Sequence, residues 1–355
     1  MRHSKLMHYL FINLLFVALA SFNLQCSNSQ SPDMDKAEKQ NERLGRGINL
    51  GNALEAPSLG EWGVELEEEY FELIANKGFE SVRIPIRWNA HAQKEKPYRI
   101  EESFFKTVDW AIENSLENGL YVVINFHHYE PLYENPEKEK ERFLALWEQV
   151  CERYKGYPES LLFEILNEPH GNLTAEKWNP LLKEAYQLIR EKHPDRTLII
   201  GTAEYGGVSG LKKLKLPAAD DDNMILTVHY YHPFHFTHQD AGWVDGSDEW
   251  TGTEWNNTAE ERKNVREDFE AVTSFSKKHD IPVYVGEFGA YSKAPMDSRI
   301  RWTNYCARFF EEKGFSWAYW EFCAGFGIYN PDSKTWNQGL VDALLHMPMP
   351  EPSDQ

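Results

Sequence analysis

Cysteine is scarce. Four residues in 355 cannot support a disulfide-dense scaffold, so the chain must bury a hydrophobic core of its own. Positive charge is also short: 37 Lys and Arg stand against 56 Asp and Glu, a formal net charge of -19. Such a surface repels phosphate backbones, and no nucleic-acid partner is expected. No Gly-rich phosphate turn follows the first strand-like run, because Gly45-Arg46-Gly47 precedes it; a doubly wound dinucleotide fold would want that turn. That run also lacks the His-x-His with which barrel metallohydrolases begin their ligand set, so neither a metal nor a cofactor is expected. No short-period repeat and no low-complexity linker divides the chain, and one domain is the simplest organisation. Aromatic residues, by contrast, are plentiful. They make up 14 % of the chain, with 12 Trp and 17 Tyr, too many for a disordered acidic polymer.

The N-terminus reads as a targeting segment. Arg2 and Lys5 precede an apolar run from Tyr9 to Ala20, too short for a comfortable membrane span but suited to a secretory signal. Ala18-Leu19-Ala20 supplies small residues for cleavage, giving a signal peptide over residues 1–20. The alternative is a lipoprotein signal over residues 1–25 with Cys26 taking the lipid, although Asn23 and Gln25 are poor residues for that motif. The expected location is therefore secreted or at the cell envelope. Residues 21–42 read as a polar tether, 43–346 as the folded body and 347–355 as a short tail. Cys151, Cys306 and Cys323 read as buried free thiols, with one disulfide as the alternative.

From Leu44 onward, short apolar runs alternate with longer amphipathic stretches. The runs are Gly47–Leu50, Ser81–Ile86, Tyr121–Phe126, Leu161–Leu166, Thr197–Gly201, Met224–Val228, Pro282–Val285 and Phe315–Trp320. Helical patterns between them include Leu66–Asn76, Ser103–Asn118, Glu139–Tyr154, Ala175–Lys192, Glu260–His279 and Ser298–Lys313. Strand then helix, repeated, predicts parallel strands with crossover helices. Near-continuous apolar strands are buried on both faces. The length and the repetition point to an α/β fold, the (β/α)8 TIM barrel.

Position of the polar residues is the next signal. Strand one runs into Asn49, Asn52 and Glu55; strand two holds Arg83 and ends at Arg87-Trp88. Strand three ends in His127-His128-Tyr129, strand four in Asn167-Glu168-Pro169, and strand six in His229-Tyr230-Tyr231. Strand seven leads into Glu287-Phe288-Gly289 and strand eight into Trp320-Glu321. An unpaired buried carboxylate costs several kcal/mol. In a barrel the carboxyl ends of the strands face the active-site mouth, where such groups have a use. Glu168 and Glu287 follow strands four and seven and would face each other across that mouth. Two carboxyl groups about 5 to 5.5 Å apart suit retaining hydrolysis of a glycosidic bond, and roughly 6.5 to 9.5 Å suits inversion. Their pKa values must be split, one group ionised and one protonated. Arg83 and His229 can keep a nucleophilic Glu ionised, and Asn167 can donate to a sugar hydroxyl. Trp320 suits the floor of a sugar subsite, because pyranose C–H faces pack on indole rings. The long segment after strand six carries Trp243, Trp250 and Trp255, each as ready to pack under the loop as to stack on sugar. The histidines of this region, spaced by three, flip faces on an extended strand and do not make a metal site. His127, His128 and His229 read as hydrogen-bond partners, with one of the adjacent pair turned to the core.

At these motifs the chain strongly resembles glycoside hydrolase family 5, the retaining barrel cellulases and mannanases. The matching stretches are Asn49-Leu50-Gly51-Asn52 with Ala53-Leu54-Glu55-Ala56-Pro57, Val82-Arg83-Ile84-Pro85, Asn125-Phe126-His127-His128 and Glu164-Ile165-Leu166-Asn167-Glu168-Pro169. His229-Tyr230-Tyr231, Val285-Gly286-Glu287-Phe288-Gly289 and Trp320-Glu321-Phe322 complete the set. The resemblance implies Glu168 as acid/base and Glu287 as nucleophile. It implies that Arg83, His127, Asn167, His229 and Tyr231 line the pocket of the sugar that becomes covalently linked. Tyr231 would bond the nucleophile and Trp320 would stack on that sugar; Asn52, Glu55, His128, His238 and Trp243 carry over as substrate contacts. The implied activity is an endo-β-1,4-glycanase acting on β-1,4-glucan or glucomannan, with mannan and xyloglucan as alternatives, as a monomer without cofactor. A non-catalytic polysaccharide-binding protein is the rival from another class.

Overall fold

The computed structural model describes residues 36–353. The signal readings, Cys26, the first part of the tether and the last two residues lie outside the described residues. Helix α1 (Lys36–Leu44) leads into β1 (Arg46–Asn49), followed by α2 (Glu68–Lys77), β2 (Ser81–Ile84), α3 (Glu102–Glu117) and β3 (Tyr121–Asn125). Then come α4 (Glu130–Glu134), α5 (Pro136–Arg153), β4 (Leu161–Glu164), α6 (Ala175–Lys192) and β5 (Leu198–Gly201). A 3₁₀ turn at Val208–Lys213 stands in for the next crossover helix before β6 (Met224–Tyr230). The chain continues through α7 (Phe234–Thr237), α8 (Ala259–His279), β7 (Val283–Phe288), α9 (Met296–Glu312) and β8 (Ser316–Tyr319). A hairpin of β9 (Tyr329–Asn330) and β10 (Thr335–Trp336) and helix α10 (Gln338–Leu345) complete it.

Each of the first seven strands pairs with the next, and β8 pairs in parallel with β1, so the sheet closes into the expected (β/α)8 barrel. Side chains alternate across the sheet, which sorts the strands into two layers of core. Outward residues such as Val82, Ile84, Val122, Ile124, Leu226 and Val285 pack under the helices in the large cluster. Inward residues Val123, Leu162, Ile199, Ile225, Tyr284 and Ala318 fill the barrel. The same parity turns Asn49, Arg83, Asn125 and Glu164 inward one level nearer the mouth, with Asn49 opposite Arg83 and Asn125 opposite Glu164 in register. Register shifts between Val228 and His229 and between Val285 and Phe288 let β6 and β7 run on past their expected ends and bring His229 beside Glu287.

The tether reading is corrected from Lys36 onward. Residues 36–44 form α1, whose Ala37 and Leu44 join the barrel-interior cluster, and Gln40 and Asn41 are buried with them. Asn41 accepts from the Ser316 hydroxyl at 2.6 Å, so α1 is fastened to the barrel. Helix α8 starts with a capping box: Glu261 N–H donates to the Thr258 hydroxyl, and Thr258 N–H to the Glu261 carboxylate, which satisfies two donors the helix leaves open. Cys151, Cys306 and Cys323 are free thiols, the first two buried.

Candidate active site

Arg83 is the centre on which the site is built. Its guanidinium is fully buried and carries five N–H donors, and each has an acceptor. Nε and Nη2 donate to the two oxygens of Glu164 at 2.6 and 2.8 Å. Nη1 donates to Asn49 Oδ1 at 2.9 Å and to Glu287 Oε1 at 2.7 Å. Nη2 also donates to Asn167 Oδ1 at 2.7 Å. Asn49 is fixed in turn, its amide donating to the Gly286 carbonyl at 2.9 Å. With Asn167 Oδ1 engaged, only its amide N–H groups are free to face a sugar hydroxyl. One inward Arg thus orients residues from β1, β4 and β7 together.

Glu287 receives a second donor, the Tyr231 hydroxyl at 2.9 Å from Oε2. His229 Nδ1 lies 2.8 Å from Glu168 Oε1 and 3.5 Å from Glu287 Oε2. A carboxylate oxygen of Glu168, one of Glu287 and a His229 ring nitrogen all lie within 4.8 Å of one another. Three such atoms could close on a cation, but Arg83 already supplies positive charge at Glu287, and His229 bridges the two acids.

The two acids are pushed in opposite directions by their surroundings. Burial pushes Glu168 upward and outweighs the hydrogen bond from His229, and the Glu287 charge adds to the rise. Burial pushes Glu287 upward too. There the charges of His229 and Arg83, with hydrogen bonds from Arg83 and Tyr231, win and hold it below the ordinary carboxylate range. His229 follows the same logic in reverse: burial lowers it, and the two carboxylates more than restore it. The cleft therefore pushes the proton affinities of two neighbouring carboxyl groups apart, Glu168 up and Glu287 down.

The remaining sequence-predicted residues separate into those at the mouth and one that is not. Trp320 lies parallel to the buried His127 ring, centroids 5.8 Å apart at 9°, and His127 is bonded to the Asn125 amide at 3.2 Å. The rings of His127 and His128 meet at 4.4 Å rather than turning to opposite faces. The strand has already ended and His128 is left-handed, φ 49°, so strand alternation does not apply. Burial pushes His127 far down and His128 and His238 down to about 4; these rings are neutral at ordinary pH. His238 lies edge-on to Tyr231 at 5.0 Å, and Trp243 stands 61 % exposed with its edge on Tyr291 at 4.9 Å. Trp250 stacks on His235, and Trp255 is buried. Asn52 sits half-buried on a left-handed turn, φ 66°.

Glu55 is corrected as a substrate contact. It is wholly buried, and its carboxylate accepts the backbone N–H groups of Asn52 and Ala53. It fastens the turn that carries Asn52 and does not face the cleft. Burial raises it to about 8 against those hydrogen bonds. Glu321 is spent in the same way on the N–H groups of Cys323, Ala324 and Phe326. Glu164, Asn49 and Tyr133 are functional residues that the sequence reading did not assign. Tyr133 donates to the Asn167 carbonyl at 2.6 Å. A glutamate inside the apolar run Leu161–Leu166 was the available signal for Glu164, since a charge there needs a buried partner.

Comparison with known proteins agrees with this geometry. The sequence profile described as Cellulase (glycosyl hydrolase family 5) matches residues 38–325. Endoglucanase H of Acetivibrio thermocellus is 36% identical over 325 residues, 90% of this chain and 34% of that protein. Cellulase/esterase CelE of the same organism is 28% identical, over 82% of this chain and 36% of its own length; the chain thus spans about a third of these two relatives. Crystal structures of Thermotoga maritima Cel5A with mannotriose and with cellobiose are 54% identical, with TM-score 0.85, covering 87% of this chain and 100% of theirs. A chain whose profile match runs from α1 past β8, on a barrel that brings Glu168 and Glu287 together at its mouth, belongs to the Cellulase family, glycosyl hydrolase family 5.

Proposed function

We propose that this protein is an exported endo-β-1,4-glycanase, most active on β-1,4-glucan, that hydrolyses with retention by double displacement. The observation that carries the reading is the pair Glu168 and Glu287, oxygens within 4.8 Å and protonation pushed in opposite directions. Glu287, ionised beside Arg83, attacks the anomeric carbon. Glu168 gives its proton to the departing oxygen, then takes one from the water that frees the sugar. The Tyr231 and Arg83 hydrogen bonds orient the nucleophile, and Trp320 with His127 forms a flat wall for the sugar ring. No step needs a metal or cofactor. Proton NMR of the first anomer released from a β-linked oligosaccharide tests the route: β appears first under retention, and α first overturns it. Azide should rescue Glu287→Gly and give an inverted glycosyl azide; a retained azide would mean the nucleophile is another residue.

Glucomannan or mannan is the second reading, favoured by the Thermotoga maritima Cel5A structures with both cellobiose and mannotriose. Reducing-sugar release across carboxymethylcellulose, glucomannan, mannan, xyloglucan and lichenan separates them, and release from none overturns the enzyme reading in favour of a binding protein. Export rests on Arg2, Lys5 and the Tyr9–Ala20 run. Fractionation of producing cells with the full chain and a Cys26→Ser variant tests it. Secretion leaves both in the medium, a lipid anchor retains only the full chain in the envelope, and finding both in the cytoplasm overturns it.

A further inference from the structure

Glu168 stands on a backbone shape that its residue type disfavours. Its φ is 46°, in the left-handed region that L side chains rarely adopt. Proline follows it, so the next residue has no N–H with which to close the turn. The turn is held from outside instead, through three consecutive carbonyls. The Asn167 carbonyl accepts from the Tyr133 hydroxyl at 2.6 Å, the Glu168 carbonyl from His170 Nδ1–H at 2.6 Å, and the Pro169 carbonyl from Tyr205 N–H at 3.2 Å. These donors come from the segments after β3, β4 and β5.

The middle bond acts on the acid itself. A carbonyl can only accept, so Nδ1 of His170 carries the hydrogen and the tautomer is set. The ring is kept from swinging away by two phenol rings, Tyr133 at 4.2 Å and Tyr205 at 4.3 Å and 11°. The Glu168 carboxyl is held separately, with His229 Nδ1 at 2.8 Å from Oε1. Backbone and carboxyl of the acid thus have one imidazole each. Strain that persists at such a residue marks a position its surroundings over-determine. A general acid must hold its proton in line with the departing oxygen, and a misplacement of about 1 Å costs on the order of 100-fold.

We propose that His170 is a positioning residue for the general acid: its Nδ1–H grips the Glu168 carbonyl, keeps the left-handed turn and so aims the carboxyl at the leaving oxygen. The inference rests on the reading of Glu168 as acid/base. Without the bond the turn relaxes toward ordinary φ and carries the carboxyl with it, while Glu287 and Arg83, on other strands, stay in place. Cleavage then suffers in proportion to the leaving group's need for a proton.

The test compares kcat/KM on dinitrophenyl β-cellobioside, whose leaving group departs without a proton, and on phenyl β-cellobioside, whose leaving group needs one. His170→Phe keeps a ring between the two tyrosines and removes the donor. His170→Asn removes the ring and keeps a donor, because its amide N–H can take the place of Nδ1–H. In the Phe variant kcat/KM should fall roughly 10- to 100-fold on the phenyl glycoside and stay near the parent value on the dinitrophenyl one. The Asn variant should recover most of that loss. A Phe variant that loses equally on both glycosides, or on neither, overturns the positioning role, as does an Asn variant that loses the phenyl glycoside as selectively as Phe. Glu168→Ala is read alongside. If it treats the two glycosides alike, the acid/base reading has failed; if it is selective and His170→Phe is not, this inference alone falls.

Discussion

The buried Arg83–Glu164 pair permits one prediction with two independent readouts. Glu164→Gln removes a charge that takes two of the five guanidinium donors at 2.6 and 2.8 Å, with both side chains 1 % exposed or less. Gln retains one acceptor oxygen, but its amide N–H group points at an Arg83 N–H. Removing one partner of a buried ion pair costs about 3 to 5 kcal/mol. Asn49, Asn167 and Glu287 still hold the guanidinium, so the lower end, about 3 kcal/mol, is expected. That corresponds to a melting temperature lower by roughly 4 to 5 °C, read by calorimetry. The second readout is the acid limb of kcat/KM against pH. With Glu164 neutral, the Arg83 charge acts on Glu287 with less cancellation and holds it further down, so the limb moves to lower pH. A melting temperature within 2 °C of the parent would mean that Glu164 does not hold Arg83. An acid limb displaced upward would mean that the other acceptors cannot keep Arg83 against Glu287, and the hub reading would fail.

Because Glu287 is held low and Glu168 high, kcat/KM should rise with pH as Glu287 ionises and fall as Glu168 loses its proton. Glu168→Gln, assayed on a dinitrophenyl glycoside that needs no acid, should lose the alkaline limb; a limb of unchanged shape would exclude Glu168 as the acid. Gly51→Ala places a Cβ 2.9 Å from Trp320 Cη2 and 3.0 Å from Cζ2, so the indole must shift. A misplacement of that order lowers kcat/KM by roughly 10- to 100-fold, and unchanged kinetics on cello-oligosaccharides would show that Trp320 is not the sugar wall. Thr258→Ala removes half the capping box of α8 and should cost about 1 kcal/mol in urea unfolding with kcat unaltered.

The barrel was legible because its strands are buried on both faces and read as apolar runs. Their ends were less so: the chain leaves the sheet at Glu164 although the apolar run continues to Leu166. Helix α1 was hidden by composition. Its buried positions are Ala37, Gln40, Asn41 and Leu44, at helical spacing, but two are amides whose burial depends on partners far along the chain, such as Ser316. The acids pose the same problem more sharply. Glu55, Glu164, Glu168, Glu287 and Glu321 all stand at or near a strand end, and hydrophobic patterning alone does not tell them apart. Partners and backbone shape do. Glu55 and Glu321 bond the N–H groups of their own turns, Glu164 neutralises Arg83, and the bulged end of β7 brings Glu287 onto the Arg83 fork. Glu168 itself is left-handed, φ 46°, as are Asn52 and His128. Glu and His do not favour that shape, so no propensity signals it. It persists because neighbours such as His170, His229 and Asn167 over-determine the turn, and that local strain is how an acid following one strand comes to face a nucleophile on another.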